Sequence, residues 1–221
     1  MDIDVSPVFI NWRFLAGGLW LTVLLSLTSA LTATAVGLIV GLARCYAPRS
    51  IRIVLAFYVD SMRAIPVLVV LVWTFFAVPI LTGLTLPPFW AALTALTLHI
   101  AAYVSEIVRA GIESIRPGQI RAALALGMSR AQLVRRIVLP QAAVRMLPTY
   151  GSLLSVTIKD TAIASVIAVP ELMRQSETIA AQSFRPLEVF TTAMLVYFII
   201  LFPVTRGVDR LYRRVAHLGR S

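Results

Sequence analysis

Residues 14–43 read FLAGGLWLTVLLSLTSALTATAVGLIVGLA, a run without a single charged side chain. About 20 apolar residues are enough for a helix to cross a bilayer, whereas a helix of a soluble protein keeps a polar face toward water. Uncharged runs also occupy residues 64–105 and 189–205. With 59% hydrophobic and only 14% charged residues, the chain is predicted to be an all-α integral membrane protein.

Breaks between the apolar runs divide the chain into five predicted membrane spans within a single transmembrane domain, residues 1–221. The predicted spans cover about residues 14–43, 53–76, 89–108, 146–169 and 187–205. The fourth is expected to be a broken helix because Lys159 and Asp160 interrupt it, and irregular backbone at membrane depth needs protein or a water-filled path around it. A sixth span is the alternative, if residues 156–169 crossed the bilayer again.

Positive charge predicts which side of the membrane each loop faces. Arginines cluster after the first span, after the third span and in the tail, whereas Asp2 and Asp4 precede the first span. Loops rich in Lys and Arg remain in the cytoplasm. Five spans therefore place the N-terminus outside and the C-terminus in the cytoplasm, in agreement with every loop. Six spans would place the arginine-rich tail outside. The stretch of residues 171–188, which has mixed charge, is predicted to lie outside the membrane, before the fifth span.

The same partition of arginines explains the net charge of +10 without a nucleic-acid partner. A single cysteine, Cys45, excludes an intramolecular disulfide, and two distant histidines, His99 and His217, do not form a metal site. The sequence has no Gly-x-x-x-x-Gly-Lys-Ser/Thr loop for nucleotide phosphates and no pattern of catalytic residues. We therefore predict no enzymatic activity, cofactor or metal for this chain.

Charged residues within the predicted spans are candidates for function because charge inside a membrane is costly. Asp60 and Arg63 are three residues apart, so a helix would bring them to one face as a pair. The candidates for a path taken by a polar solute are Asp60, Arg63, Glu106, Lys159, Asp160 and Thr161. Met62 and His99 are weaker candidates. For each residue, structural pairing between helices is the alternative.

The polar block at about residues 116–140 is predicted to be a cytoplasmic loop of two short helices. Pro117-Gly118 marks its start. A helix over residues 119–126 should end near Gly127, a residue type suited to the position just after a helix. Ser129 is expected to cap a second helix that runs into Val138.

Residues 121–140 read RAALALGMSRAQLVRRIVLP and resemble the EAA loop of importer permeases in the ATP-binding cassette (ABC) superfamily. That motif has Glu-Ala-Ala, a glycine four residues after the second alanine, and then Ile-x-Leu-Pro. The matching residues are Ala122, Ala123, Gly127, Ile137, Leu139 and Pro140. Residues 101–114, Pro117-Gly118-Gln119 and Lys159-Asp160-Thr161 resemble the branch that imports polar amino acids such as histidine, glutamine, arginine and glutamate.

The sequence departs from the family pattern at two positions. Arg121 occupies the position where the motif usually has Glu, and Gly151 occupies one where Asn is common. Arg121 reverses a charge at the implied contact with the ATPase subunit. This reversal implies either an acidic ATPase residue at the contact or a second, different permease that supplies the usual Glu, and it favours a heterodimer of permeases over a homodimer.

The resemblance implies a type I ABC importer permease fold in the bacterial cytoplasmic membrane, coupled to an ATPase through the loop at residues 116–140. The residues implied in this coupling are Arg121, Ala122, Ala123, Gly127, Ile137, Leu139 and Pro140. Two ATPase subunits, rather than this chain, would bind ATP and Mg²⁺. A second permease chain and an extracytoplasmic solute-binding protein are the other implied partners.

The implied cargo is a polar amino acid delivered by the binding protein. An amino acid derivative (an opine, an ectoine-type compatible solute or cystine) is the alternative, because the binding protein largely selects the solute. A secondary transporter or channel that works without ATP is the alternative of a different class. It would leave the EAA-like loop unexplained.

Overall fold

The computed structural model describes residues 4–215, and this part of the chain is helical with no β-strand. Its α-helices are α1 (Ser6–Ile10), α2 (Trp12–Tyr46), α3 (Arg49–Ala64), α4 (Val67–Thr82), α5 (Pro88–Glu113), α6 (Pro117–Ala125), α7 (Arg130–Leu133), α8 (Leu139–Asp160), α9 (Leu172–Ser183) and α10 (Pro186–Val215). A π-helical turn, Val134–Val138, joins α7 to α8, and a 3-10 helix, Thr161–Ile167, follows α8. The prediction of an all-α protein is confirmed for these residues.

Within residues 4–215, three helices are long and apolar enough to cross a membrane: α2, α5 and α10. Two bent helix pairs raise the number to five if each pair crosses as one span. These pairs are α3 with α4, and Arg130–Ile167 with α9. The five predicted spans therefore correspond to the upper end of this range.

The predicted second span, residues 53–76, is sharply bent. The chain turns by 106° between α3, which ends at Ala64, and α4, which begins at Val67. Pro66 causes this break, because its ring disfavours helical backbone in the residue before it. Ile65 is accordingly extended, with φ −91° and ψ 131°. The arginine-bearing half and the apolar half of this segment thus run in different directions.

The predicted break in the fourth span is confirmed. Helix α8 is regular up to Asp160, after which the 3-10 helix runs to Ala168, whose φ is +61°. Residues from Val156 onward continue α8, so that no separate sixth helix starts there. The stretch 171–188, expected to be an outer loop, instead contains α9, which packs against α2 and α10.

Helices α2 and α5 pack closely along a line of small residues. A Cβ atom built on Gly37 would lie 2.5 Å from Val104 Cβ, and one on Gly41 would lie 2.7 Å from Val108 Cβ. Glycine at these positions lets two helix backbones approach closely. The Gly-x-x-x-Gly pattern at residues 37–41 therefore marks a helix contact.

Gly151 is explained by a second close contact, between α8 and α10. A Cβ atom at this position would overlap the side chain of Val208. The two helices can approach this closely only because residue 151 lacks a side chain. The departure from the family's Asn therefore fits the packing of this chain.

Candidate functional site

The EAA-like loop, residues 116–140, folds into two short helices joined by a tight turn. Met128 N donates to Ala123 O at 3.1 Å and Gly127 N donates to Leu124 O at 3.0 Å, the pair of hydrogen bonds that defines a Schellman motif. Gly127 has φ +78°, a left-handed conformation that glycine adopts without steric cost. Its predicted place just after the first helix is confirmed.

The second helix of the loop starts with a capping box. Gln132 N donates to Ser129 Oγ at 3.3 Å, and Ser129 N donates to Gln132 Oε1 at 2.9 Å. The predicted cap at Ser129 is thereby confirmed. The π-helical turn then precedes Pro140, which has no N–H to give to Arg136 O, so that a wider turn relieves the ring of Pro140.

A small apolar core holds the loop together. Its buried members are Ile115, Ala123, Leu133, Val138 and Ala142. Ala123, only 5% exposed, therefore packs inside the loop rather than on its surface. Its small size brings α6 close to the rest of the loop. Of the two alanines of the motif, Ala122 is the one exposed to a partner.

The other residues implied in coupling lie on or near the surface of the loop. Arg121, Ala122, Gly127 and Pro140 are exposed, whereas Ile137 and Leu139 are half-buried. Sequence reasoning missed Leu126, which is 84% exposed at the end of α6. An apolar residue between the helix and Gly127 is the signal that would have found it. The end of α6 thus presents the cation Arg121 and the apolar side chain Leu126 close to a tight turn.

A cavity of about 750 Å³, the central cavity, is lined mainly by α5 and α8. Its polar side chains are Arg63, His99, Tyr103, Glu106, Ser114, Arg145, Thr149, Ser152 and Asp160. It therefore brings together three of the six predicted path residues, Arg63, Glu106 and Asp160, with His99. Asp60 and Lys159 are exposed elsewhere. Thr161 is fully buried outside the lining.

The carboxylate of Glu106 lies in a cluster of arginines beside the cavity. It accepts a hydrogen bond from Arg44 Nη1 at 2.8 Å and others from Arg109, which also pairs with Glu113 at 2.5 Å. Arg63 Nη1 is 4.0 Å away, too far for a hydrogen bond. Three guanidinium groups thus share two carboxylates, and Arg63 is the least engaged of them.

The expected pair between Asp60 and Arg63 does not form. Asp60 is exposed on α3 and makes no salt bridge within residues 4–215. The guanidinium of Arg63 instead lies 5.7 Å from the ring centroid of Tyr103 on α5. Contacts between helices therefore decide the position of Arg63, and these contacts place it in the wall of the cavity.

Two further polar groups line the cavity without a partner in the described part of the chain. Nδ1 of His99 is buried and forms no hydrogen bond there, although the residue is only 7% exposed. Asp160 is half-buried and makes no salt bridge among residues 4–215. An anion, a cation and an imidazole thus face one space, and they complement the ammonium and carboxylate of a small zwitterion.

Helices α5 and α8 connect the cavity to the EAA-like loop. Both helices line the cavity, and the loop joins the end of α5 to the start of α8. Arg145 of α8 also donates to the carbonyl oxygen of Ser114, just after α5, and both residues line the cavity. The loop is therefore continuous with the walls of the cavity.

Sequence reasoning also missed a buried carboxylate, Glu171, which was assigned to an outer loop. It is fully buried at the start of α9, where it accepts hydrogen bonds from Met173 N and Arg174 N, both at 2.8 Å. Tyr197 Oη donates to it at 3.0 Å and Thr22 Oγ1 at 3.4 Å. Glu171 thus joins α9 to α2 and α10. Its position directly after a proline and before an apolar residue was the available signal.

Comparison with known proteins gives consistent matches over nearly the whole chain. The family model described as "Binding-protein-dependent transport system inner membrane component" matches residues 33–217. The glutamine transport system permease protein GlnP of Escherichia coli K12 is 33% identical over 97% of this chain and 99% of its own length. The arginine transport system permease protein ArtQ of Bacillus subtilis is 33% identical over 95% and 97%, and the L-cystine permease TcyB of the same species is 36% identical over 92% and 87%.

Solved structures agree with these relatives. A crystal structure of an amino acid ABC transporter with histidines has a chain that is 30% identical, with a TM-score of 0.90 over 97% of this chain and 100% of that chain. An inward-facing structure of the MetNI methionine ABC transporter has a TM-score of 0.80 at 22% identity, over 93% and 97% of the two chains. The second likeness supports the fold alone.

Proposed function

Because this chain belongs to the family of inner membrane components of binding-protein-dependent transport systems, we propose that it is one permease subunit of an ATP-driven importer of amino acids. As a permease it is a transport subunit and not an enzyme. Relatives named for glutamine, arginine and cystine transport support a polar amino acid, or a derivative such as cystine, as the cargo.

One observation carries this proposal: the two helices that line the central cavity are the two that hold the EAA-like loop. In the proposed cycle, two ATPase subunits bind ATP and Mg²⁺, close on each other and move the loop. Helices α5 and α8 then move with it, and access to the cavity alternates between the outside and the inside. Nucleotide thus biases a two-state equilibrium of access.

The proposed path runs past Arg63, Glu106 and Asp160. Arg63 would contact the carboxylate of the solute and Asp160 its ammonium group, while Glu106 holds the arginines beside Arg63 in place. Lys159, Asp60 and Thr161 lie outside the cavity and would contribute to the path only in another conformation.

The proposed assembly contains a second permease chain, two ATPase subunits and an extracytoplasmic solute-binding protein in a bacterial inner membrane. The N-terminus lies outside and the C-terminus in the cytoplasm, so that the arginine-rich loop and the ATPase share one side. Arg121, where the family motif has Glu, favours a second permease of different sequence.

The first test is purification in a gentle detergent, followed by identification of the proteins that remain bound. An ABC ATPase, with or without a second permease, would support the proposal. Recovery of the folded chain alone, even after crosslinking, would favour a transporter that runs without ATP.

The decisive test is uptake of labelled amino acids into liposomes that contain the complex and its binding protein. Uptake should require ATP and persist after an ionophore has collapsed the ion gradients. Arg63→Gln should reduce uptake about tenfold or more, since a hydrogen bond to a charged group contributes about 1.5–3 kcal/mol. Arg52→Gln, an exposed change on the same helix, is the matched control. Uptake driven by an ion gradient without ATP would refute the proposal.

A further inference from the structure

The charge of the EAA-like loop is one-sided. No Asp or Glu occurs between Glu113 and Asp160, a stretch that contains six arginines. Five of them are exposed and form no salt bridge within residues 4–215: Arg116, Arg121, Arg130, Arg135 and Arg136. Arg109 on the adjoining helix, by contrast, pairs with two carboxylates. The exposed arginines of the loop are therefore available to acidic groups of a partner.

Arg121 has a distinct place among these arginines. Residues two apart on an α-helix lie about 200° apart around its axis, so Arg121 faces away from Ala123 and the loop core. Its exposed neighbours on α6 are the small residues Gly118, Ala122 and Ala125 together with Leu124, which is 46% exposed. Arg121 is therefore the one charged side chain of α6, on a face whose small residues let another backbone approach closely.

The shape of this face is fixed by the chain itself. The Schellman motif, the capping box and the apolar core hold α6 and the following turn in place. Leu126, 84% exposed, projects beside that turn. Small residues allow close approach of another backbone, so this face suits a groove in a folded protein better than a lipid surface.

We propose that the ATPase groove receiving α6 carries an acidic side chain opposite Arg121 and an apolar slot for Leu126. This inference rests on the proposed coupling to an ATPase. A guanidinium and a carboxylate form two parallel hydrogen bonds, which fix orientation as well as charge. With the motif's Glu replaced by Arg, the contact also rejects ATPases that present a cation at this position.

The test uses the complete transporter, purified with its ATPase and placed in liposomes of neutral or of partly anionic lipid. Arg121→Glu should lower both the amount of bound ATPase and the ATP-driven uptake by about tenfold or more, because like charges across an interface cost several kcal/mol. Arg121→Gln should have a smaller effect. Arg116→Glu, with the same change of charge on the same loop, should reduce both by no more than about twofold, as expected for a charge outside the contact.

Charge exchange identifies the partner residue. Replacing one Asp or Glu of the ATPase groove by Arg should impair the wild-type transporter and restore ATPase binding to Arg121→Glu. Three outcomes would each overturn the inference. Arg121→Glu and Arg116→Glu could lower ATPase binding and uptake equally, or the losses could occur only in anionic liposomes. In the charge exchange, no acidic residue of the groove could restore binding to Arg121→Glu. If the wild-type complex retained no ATPase, the proposed function itself would fail. A wild-type complex that binds ATPase while Arg121→Glu behaves normally would refute only the acidic groove.

Discussion

Replacement of Gly37 by Ala should separate the two helices that form the centre of the protein. The added Cβ would lie 2.5 Å from Val104 Cβ and 2.8 Å from the carbonyl oxygen of Ala101, whereas carbon atoms in contact prefer about 3.5–4.0 Å. Val104 is only 2% exposed and cannot turn away, and the carbonyl belongs to the backbone. Overpacking of this kind costs about 1–3 kcal/mol.

Gly17→Ala is the matched control, on the same helix and with no atom within 4 Å of the new Cβ. Both substitutions gain about 1 kcal/mol of helix propensity, so the difference between the two variants measures the packing cost alone. At about 2–4 °C per kcal/mol for a chain of this size, Gly37→Ala should unfold about 2–12 °C below Gly17→Ala.

Cys45 provides the assay because it is the only cysteine in the sequence and is half-buried at the end of α2. A thiol-reactive dye that fluoresces on reaction would report unfolding during heating in detergent. Adding Val104→Ala to Gly37→Ala should recover part of the loss. If Gly37→Ala unfolded at or above the temperature of Gly17→Ala, the close contact between α2 and α5 would be refuted.

Two more substitutions test the coupling turn and the buried carboxylate. Gly127→Trp should abolish ATP-driven uptake while membrane insertion stays normal, because the indole would block docking of the loop. Gly83→Trp, at a residue with similarly positive φ and open surroundings in another loop, should keep most of the uptake. Glu171→Ala should lower the free energy of unfolding by about 2–4 kcal/mol, since a helix cap and buried hydrogen bonds are lost together. Glu177→Ala, which removes an ion pair 3.5 Å long and a 3.3 Å hydrogen bond from Ser165, should cost less, about 1 kcal/mol. Normal uptake in the first variant, or equal stability in the last two, would contradict these assignments.

Features set by neighbouring residues were predicted from the sequence. Gly127 follows a helix and Ser129 precedes one, and each conformation depends on hydrogen bonds within a few residues. The same holds for the spans, since an apolar run of sufficient length is enough to indicate a crossing.

Features that depend on distant parts of the chain were not predicted. Arg63 was expected to pair with Asp60 on its own helix, but the bend at Pro66 and the packing of α5 bring it to Tyr103 and Glu106 instead. Glu171 was treated as a solvent-exposed loop residue because its partners come from residues about 150 positions earlier and 26 later. No local pattern contains that information.

The close contact between α2 and α5 determines which parts of the protein can move together. Helix α5 has 26 residues and is about 39 Å long, so a tilt of about 10° around its loop end would carry the other end through about 7 Å. Gly37 and Gly41 leave no space for α2 to stay behind, because separation would expose a bare strip of backbone on α2. We expect the two helices to tilt as a single lever, with the hinges located where regular helix is interrupted, at Pro66 and at the 3-10 helix after Asp160.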